Sequence, residues 1–160
     1  MGYTAAVITV SDMGSKGLRQ DTSGPAVCAM LEEAGFTVVH RAMVPDEKEQ
    51  ISGVLCGCAD EKKIDLIVTT DGTGLSPRDV TPEATLAVLD REIRGIPVAM
   101  WVEGLKVTPR AMLSRAVAGT RGGSLILNLP GSEKAARENL GAVIGALEHA
   151  MHMIAAEGHG

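Results

Sequence analysis

Leu66-Ile67-Val68-Thr69-Thr70-Asp71-Gly72-Thr73-Gly74 is the stretch on which the fold turns. Leu66–Thr70 is a β-favouring, largely apolar run, short enough for a buried strand and too short for a helix. It passes without a spacer into a glycine loop, so the backbone can turn sharply and approach a ligand closely where the strand ends. A strand apolar on both faces belongs in a parallel sheet covered by helices on each side.

Working outward, the same alternation repeats. Upstream, Ala5–Val10 reads as another buried strand, followed by a polar loop. Ser23-Gly24-Pro25 then opens a helix whose apolar positions Val27, Cys28, Leu31 and Ala34 have helical spacing, with Gly35 as its stop. Phe36–Val44 reads as a strand. Pro45-Asp46-Glu47-Lys48-Glu49 starts the next helix, with Asp46 and Glu49 at capping-box separation and Ile51, Val54, Leu55 and Cys58 on its buried face. Downstream, Thr81-Pro82 and Thr108-Pro109 are helix starts in which threonine caps and proline fills the first turn. Ile96–Lys106 between them reads as irregular helix. Val117–Gly119, the Arg121-Gly122-Gly123 turn and Ser124–Leu129 give a short strand and a stronger one. A last helix begins near Ser132, with Leu140, Val143, Ile144, Leu147, Met151 and Ile154 on one face; Gly141 and Gly145 in it imply close packing on their side. The pattern predicts an α/β fold, a three-layer α/β/α sandwich with a mainly parallel sheet, and residues 1–160 as one domain.

Composition excludes several partners. The balance of 15 Lys and Arg against 20 Asp and Glu leaves a formal charge of −5, and the aromatic residues are only Tyr3, Phe36 and Trp101. A nucleic-acid partner is not expected, because phosphate neutralisation and base stacking both lack their residues. No apolar run approaches the ~20 residues that span a bilayer. Met1-Gly2-Tyr3-Thr4 brings no basic region, so the expected address is the cytoplasm, with no membrane partner. Nineteen glycines, many in short loops beside apolar runs, still permit a local cradle of amides for a small anion. Cys28, Cys56 and Cys58 form an odd set, so disulfides are not expected, and Cys58 reads as a buried thiol. His149 and His152 read as a solvated helix end; His40 and His159 offer nothing specific. Trp101 suits either core or a subunit interface.

In parallel sheets, ligands sit beyond the carboxyl ends of the strands. The loops there read Ser11-Asp12, Pro45-Asp46, Asp71-Gly72-Thr73-Gly74 with Arg78-Asp79, and Pro130-Gly131-Ser132. Glycine amides, hydroxyls and separated aspartates suit phosphoryl or nucleotidyl transfer, where catalysis is mainly positioning and charge neutralisation. Asp46 could equally be a helix cap, and Asp79 could act only through its charge at a helix start. The loop matches neither the dinucleotide fingerprint nor the Walker A pattern.

As an ordered set, the motifs are more specific. Val10-Ser11-Asp12, Asp21-Thr22-Ser23-Gly24, Val44-Pro45-Asp46, Thr69–Gly74, Arg78–Thr85, Met112–Arg115 and Asn128-Leu129-Pro130-Gly131 together resemble the molybdopterin adenylyltransferase family (MogA/MoaB-like) over nearly the whole chain. Lys106–Pro109 is more like the eukaryotic form. The resemblance implies adenylyl transfer from Mg-ATP to the terminal phosphate of molybdopterin, with pyrophosphate released. It further implies a homotrimer, Asp46 and Asp79 in catalysis and Mg²⁺ handling, and Thr73, Ser114 and Asn128 as pterin-binding residues. Ser11, Asp12, Gly72, Gly74, Pro130, Gly131 and Ser132 are expected to line the same pocket.

Two positions depart from the family pattern. Asp71 stands at the first glycine of Gly-Gly-Thr-Gly, and Glu133 where proline is common. Aspartate tolerates left-handed backbone, so the loop shape can survive; the carboxylate could bind metal, repel a phosphate, or turn away. Besides an enzyme, a non-catalytic molybdopterin-binding paralogue and a related hydrolase or deamidase remain as readings, with the intact Arg78–Thr85 run against the latter.

Overall fold

Six strands pair into one sheet: β1 (Thr4–Val10), β2 (Thr37–Val44), β3 (Leu66–Thr70), β4 (Arg91–Glu92), β5 (Ala118–Arg121) and β6 (Ser124–Leu129). They appear in a computed structural model that describes residues 2–156; His159 lies outside them. The spatial order is β2-β1-β3-β6-β5-β4. The β1–β2, β1–β3 and β3–β6 pairs are parallel, whereas β5 runs antiparallel to both β6 and β4.

Alternation along the central strands builds two cores. On one face Ala5, Val7, Leu66, Val68, Leu125 and Leu127 pack under helices α2 (Ser23–Glu33), α5 (Gly95–Leu105) and α6 (Glu133–Ala155). On the other, Ala6, Ile8, Ile67 and Ile126 pack under α3 (Lys48–Cys56) and α4 (Thr81–Leu86). The result is the three-layer α/β/α sandwich with a mainly parallel sheet. Ile67 is wholly buried at its centre, and its truncation to alanine would cost about 2–5 kcal/mol. From β1 the chain steps outward to β2 and then returns to β3 on the opposite side of β1. Such a reversal opens a crevice at the strand ends.

Several local expectations change. The loop after β1 contains a one-turn helix, α1 (Asp12–Ser15), capped by Ser11. Asp46 does not cap α3: Glu47 takes the N-cap position without a side-chain bond, and Asp46 is drawn instead to Asp12. Nor does Thr81 cap α4; Val80 holds that position, and the buried Thr81 hydroxyl has no hydrogen-bond partner among the described residues. Thr108 does cap, through its bond from the Arg110 amide, although the element it opens is a 3-10 turn, Pro109–Leu113. Residues 95–105 form a regular helix rather than an irregular one. Gly141 and Gly145 are exposed, and a Cβ at Gly145 would meet nothing within 4 Å, so close packing does not explain them. Strand β4 is too short and too polar to announce itself in sequence. Cys58 is buried, in a π-helical turn continuing α3, and all three cysteines are free thiols. His149 is exposed, while His152 lies 3.7 Å from Glu148.

Candidate active site

The glycine loop owes its shape to two consecutive left-handed residues, Asp71 at φ 77° and Gly72 at φ 75°. The Asp71 amide donates to Leu129 O at 3.0 Å, tying the loop to the end of β6, while Asp71 Oδ1 accepts from the Gly72 amide at 2.9 Å. Gly72 cannot carry a side chain: a Cβ there would collide with the Thr81 hydroxyl and reach Asp46 Oδ1. At Gly74 a Cβ would sit 2.9 Å from Asp79 Oδ2. The backbone is thus bare where the two aspartates face it.

Each aspartate has one oxygen anchored. Asp46 Oδ2 accepts from the Asp12 amide at 2.9 Å, and the Asp46 amide donates back to Asp12 Oδ1 at 2.9 Å. Asp79 Oδ2 accepts from the Ser76 amide at 3.0 Å. The second oxygen of each has no hydrogen bond among the described residues. Burial raises the Asp46 pKa, and repulsion from Asp12, Asp71 and Asp79 adds to it. Asp71 is likewise raised, chiefly by burial. Asp12 is lowered, because its carboxylate takes the fork of Arg78.

Arg115 staples the loop from the other side. Its Nε donates to Gly74 O at 2.8 Å, its Nη2 to Asp79 O at 2.7 Å, and its amide to Thr73 O at 2.9 Å; Glu83 balances its charge. Ser114, next in the chain, is brought beside the loop by the same contacts. Trp101 holds that segment by donating from Nε1 to Ser114 O at 3.0 Å.

A cavity of about 80 Å³ opens between the ends of β1 and β3, lined by Ser11, Asp21, Thr70, Asp71 and Gly131 among others. One water needs only ~10–15 Å³, so part of a ligand fits. The Thr70 hydroxyl is buried there without a hydrogen-bond partner among the described residues. Asp46, Asp79, Thr73 and Ser114 are not in its lining; Asp46 and Asp79 lie instead against Gly72 and Gly74.

Three expected residues are engaged otherwise. The Asn128 amide is wholly buried, donating to Thr69 and Thr85 hydroxyls at 3.0 Å each and accepting from the Val117 amide at 3.1 Å. Ser11 Oγ caps α1, and Ser132 Oγ caps α6. Pro130 and Gly131 form the turn between β6 and that cap, where Gly131 O accepts from the Ser23 hydroxyl. Unassigned from sequence were Arg78, Arg115 and Asp21, although all three fall inside the family-like motifs. Asp21 accepts from the Thr9 hydroxyl at 2.7 Å and from the Gly24 amide at 2.9 Å, which closes the start of α2 against β1.

Residues 6–149 match a family described as "Probable molybdopterin binding domain". The chain is 43% identical over 162 residues to gephyrin of Dictyostelium discoideum, across 95% of its own length but only 22% of gephyrin's. It is 42% identical to the molybdopterin adenylyltransferase of Helicobacter pylori over 150 residues, 92% of this chain and 85% of that one. Among solved structures, the molybdopterin biosynthesis enzyme MoaB of Thermus thermophilus superposes with a TM-score of 0.92 at 49% identity, covering 97% of this chain and 98% of that one.

Proposed function

Because the chain belongs to the molybdopterin-binding family, we propose that it is a molybdopterin adenylyltransferase of molybdenum cofactor biosynthesis, working as a single domain in the cytoplasm. An oxygen of the molybdopterin phosphate attacks the α-phosphorus of ATP, a new P–O bond forms, and the bond to pyrophosphate breaks. The nucleophile is already an ionised phosphate, so no general base is needed. The supporting observation is the pair Asp46 and Asp79, each with one oxygen anchored and the other without a hydrogen bond among the described residues, their carboxylates lying against Gly72 and Gly74 at the reversal of the sheet.

Magnesium usually keeps several waters and binds through one or two carboxylates plus substrate phosphates. Asp46 and Asp79 would hold it; when bound with ATP it neutralises charge on the phosphates that the two polyanions bring together. Thr73, Ser114 and the glycine amides bind the pterin side, while Ser11, Pro130, Gly131 and Ser132 complete the rim and Asp12 commits its carboxylate to Arg78 and the Asp46 amide. Asn128 supports from beneath, by fixing β6 to β3 and α4. The reading also includes a homotrimer, supported by the exposed apolar residues Val98, Val102 and Leu105 along α5.

Incubation of the purified protein with molybdopterin and Mg-ATP tests the proposal. Adenylylated molybdopterin and pyrophosphate should appear together. No product, under conditions where the Helicobacter relative turns over, would overturn it. Asp71 favours one second reading, a binding protein without catalysis, because its carboxylate occupies the glycine loop. Tight molybdopterin binding without turnover, with activity gained in Asp71→Gly, would establish that alternative.

A further inference from the structure

The contacts around Asp46 converge on Arg78. Its guanidinium forks onto Asp12, with Nε donating to Oδ2 at 2.9 Å and Nη2 to Oδ1 at 3.0 Å. Nη2 also donates to Glu47 Oε1 at 2.9 Å. Glu47 makes no capping bond at the start of α3, so its carboxylate is available to this cation. Asp12 is in turn joined to Asp46 by two reciprocal bonds. One side chain therefore ties together the loops after β1, after β2 and between β3 and α4.

The arrangement has a directional consequence. Asp12, Asp46 and Glu47 crowd three carboxylates into one cluster, and without a cation their repulsion would push the loops apart. Planar guanidinium also fixes the angle of the Asp12 carboxylate, as a point charge would not. With Asp12 fixed, its amide and carboxylate hold the Asp46 backbone and Oδ2, leaving Asp46 Oδ1 turned toward Gly72.

We propose that Arg78 is a positioning residue, which acts through Asp12 to hold the Asp46 carboxylate with one oxygen locked and the other aimed at the glycine loop. The inference rests on Asp46 acting at the reaction centre. It assigns Asp12 a role in the same relay.

Steady-state kinetics with molybdopterin and Mg-ATP test it in Arg78→Gln, Asp12→Asn, the double variant and Asp46→Asn, each with a thermal melt. Misplaced positioning predicts a fall in kcat of about 10²-fold for Arg78→Gln, with both KM values unchanged. Asp12→Asn should behave alike, and the double variant should be no worse than the poorer single one, because both act on one link. Arg78→Lys keeps the charge without the fork and should recover only part of the rate. A raised KM at unchanged kcat would overturn the proposal by making Arg78 a substrate contact. Additive losses would overturn it too, as would a lowered melting temperature with unchanged kcat per folded molecule. If Arg78→Gln does not fold, Asp12→Asn tests the same link from its other end. Full turnover in Asp46→Asn would instead remove the assignment beneath it, a separate and recognisable failure.

Discussion

The Asp71 carboxylate lies directly against Gly131, close enough that a Cβ at 131 would fall 2.5 Å from Asp71 Oδ1. Two strand ends, those of β3 and β6, therefore meet through a side chain at one position and the lack of one at the other. Gly131→Ala should displace the carboxylate from the Gly72 amide and destabilise the protein by about 1 kcal/mol. Asp71→Gly removes the obstruction, so the double variant should recover the melting temperature. A double variant as unstable as Gly131→Ala alone would show that the clash lies elsewhere.

Asp71 also makes stability depend on pH. Burial raises its pKa above the ordinary 3.8, with Asp79 and Asp21 adding repulsion. In the window above 3.8 the folded state holds the proton longer than the unfolded state, so this residue's contribution to stability falls as pH rises toward the folded value. Asn at 71 tolerates left-handed backbone and can still accept from the Gly72 amide. Asp71→Asn should therefore melt above the wild type at neutral pH, and the gap should close below pH 3.8. A gap independent of pH between 3 and 7 would count against burial of the charge as its source.

The layers of the fold were legible because three central strands are apolar on both faces and their helices carry helical stripes. Expectations failed where a polar side chain had two competing partners. Asp46 sits where a capping residue would, but an amide on another strand's loop, thirty-four residues earlier in sequence, wins it. Thr81 looks like a cap beside its proline, yet lies one residue inside the helix. Asn128 belongs to a family-like motif, and nothing in sequence tells whether its amide faces a ligand or the interior. Arg78 and Arg115 were hidden for a related reason: their roles come from loops joined only after the sheet has formed.

Asn128→Leu should cost stability before it costs specificity. Its amide serves the Val117 amide and the hydroxyls of Thr69 and Thr85, all within the protein. Stranding these groups should lower stability by roughly 3 kcal/mol, measured by denaturant unfolding. A variant as stable as the wild type but impaired in pterin binding would place Asn128 at the ligand instead.

Because α3 starts without help from Asp46, Asp46→Asn should separate chemistry from folding. The asparagine oxygen can still accept from the Asp12 amide, so the melting temperature should hardly change. Pyrophosphate release should fall by about 10²–10³-fold, the scale on which one electrostatic group contributes. The same expectation holds for Asp79→Asn, whose remaining oxygen can keep the Ser76 amide bond. Unfolding of either variant would restore a purely structural role.

Along α5, Val98, Val102 and Leu105 succeed one another at helical spacing and stand 47%, 52% and 46% exposed. Met112 and Leu113, in the 3-10 turn after α5, are exposed as well. Aliphatic side chains grouped in this way are commonly covered by a partner. Val102→Arg would place a charge within an assembled interface, where an unpaired buried charge is strongly unfavourable. On the proposed trimer it should therefore shift the mass measured by sedimentation equilibrium from trimer to monomer, while circular dichroism stays unchanged. Trp101 gives an internal control, since its indole donates to Ser114 O within the same chain and should keep that bond in the monomer. A wild type that sediments as a monomer, or a Val102→Arg trimer as firm as the wild type, would refute this face as the interface.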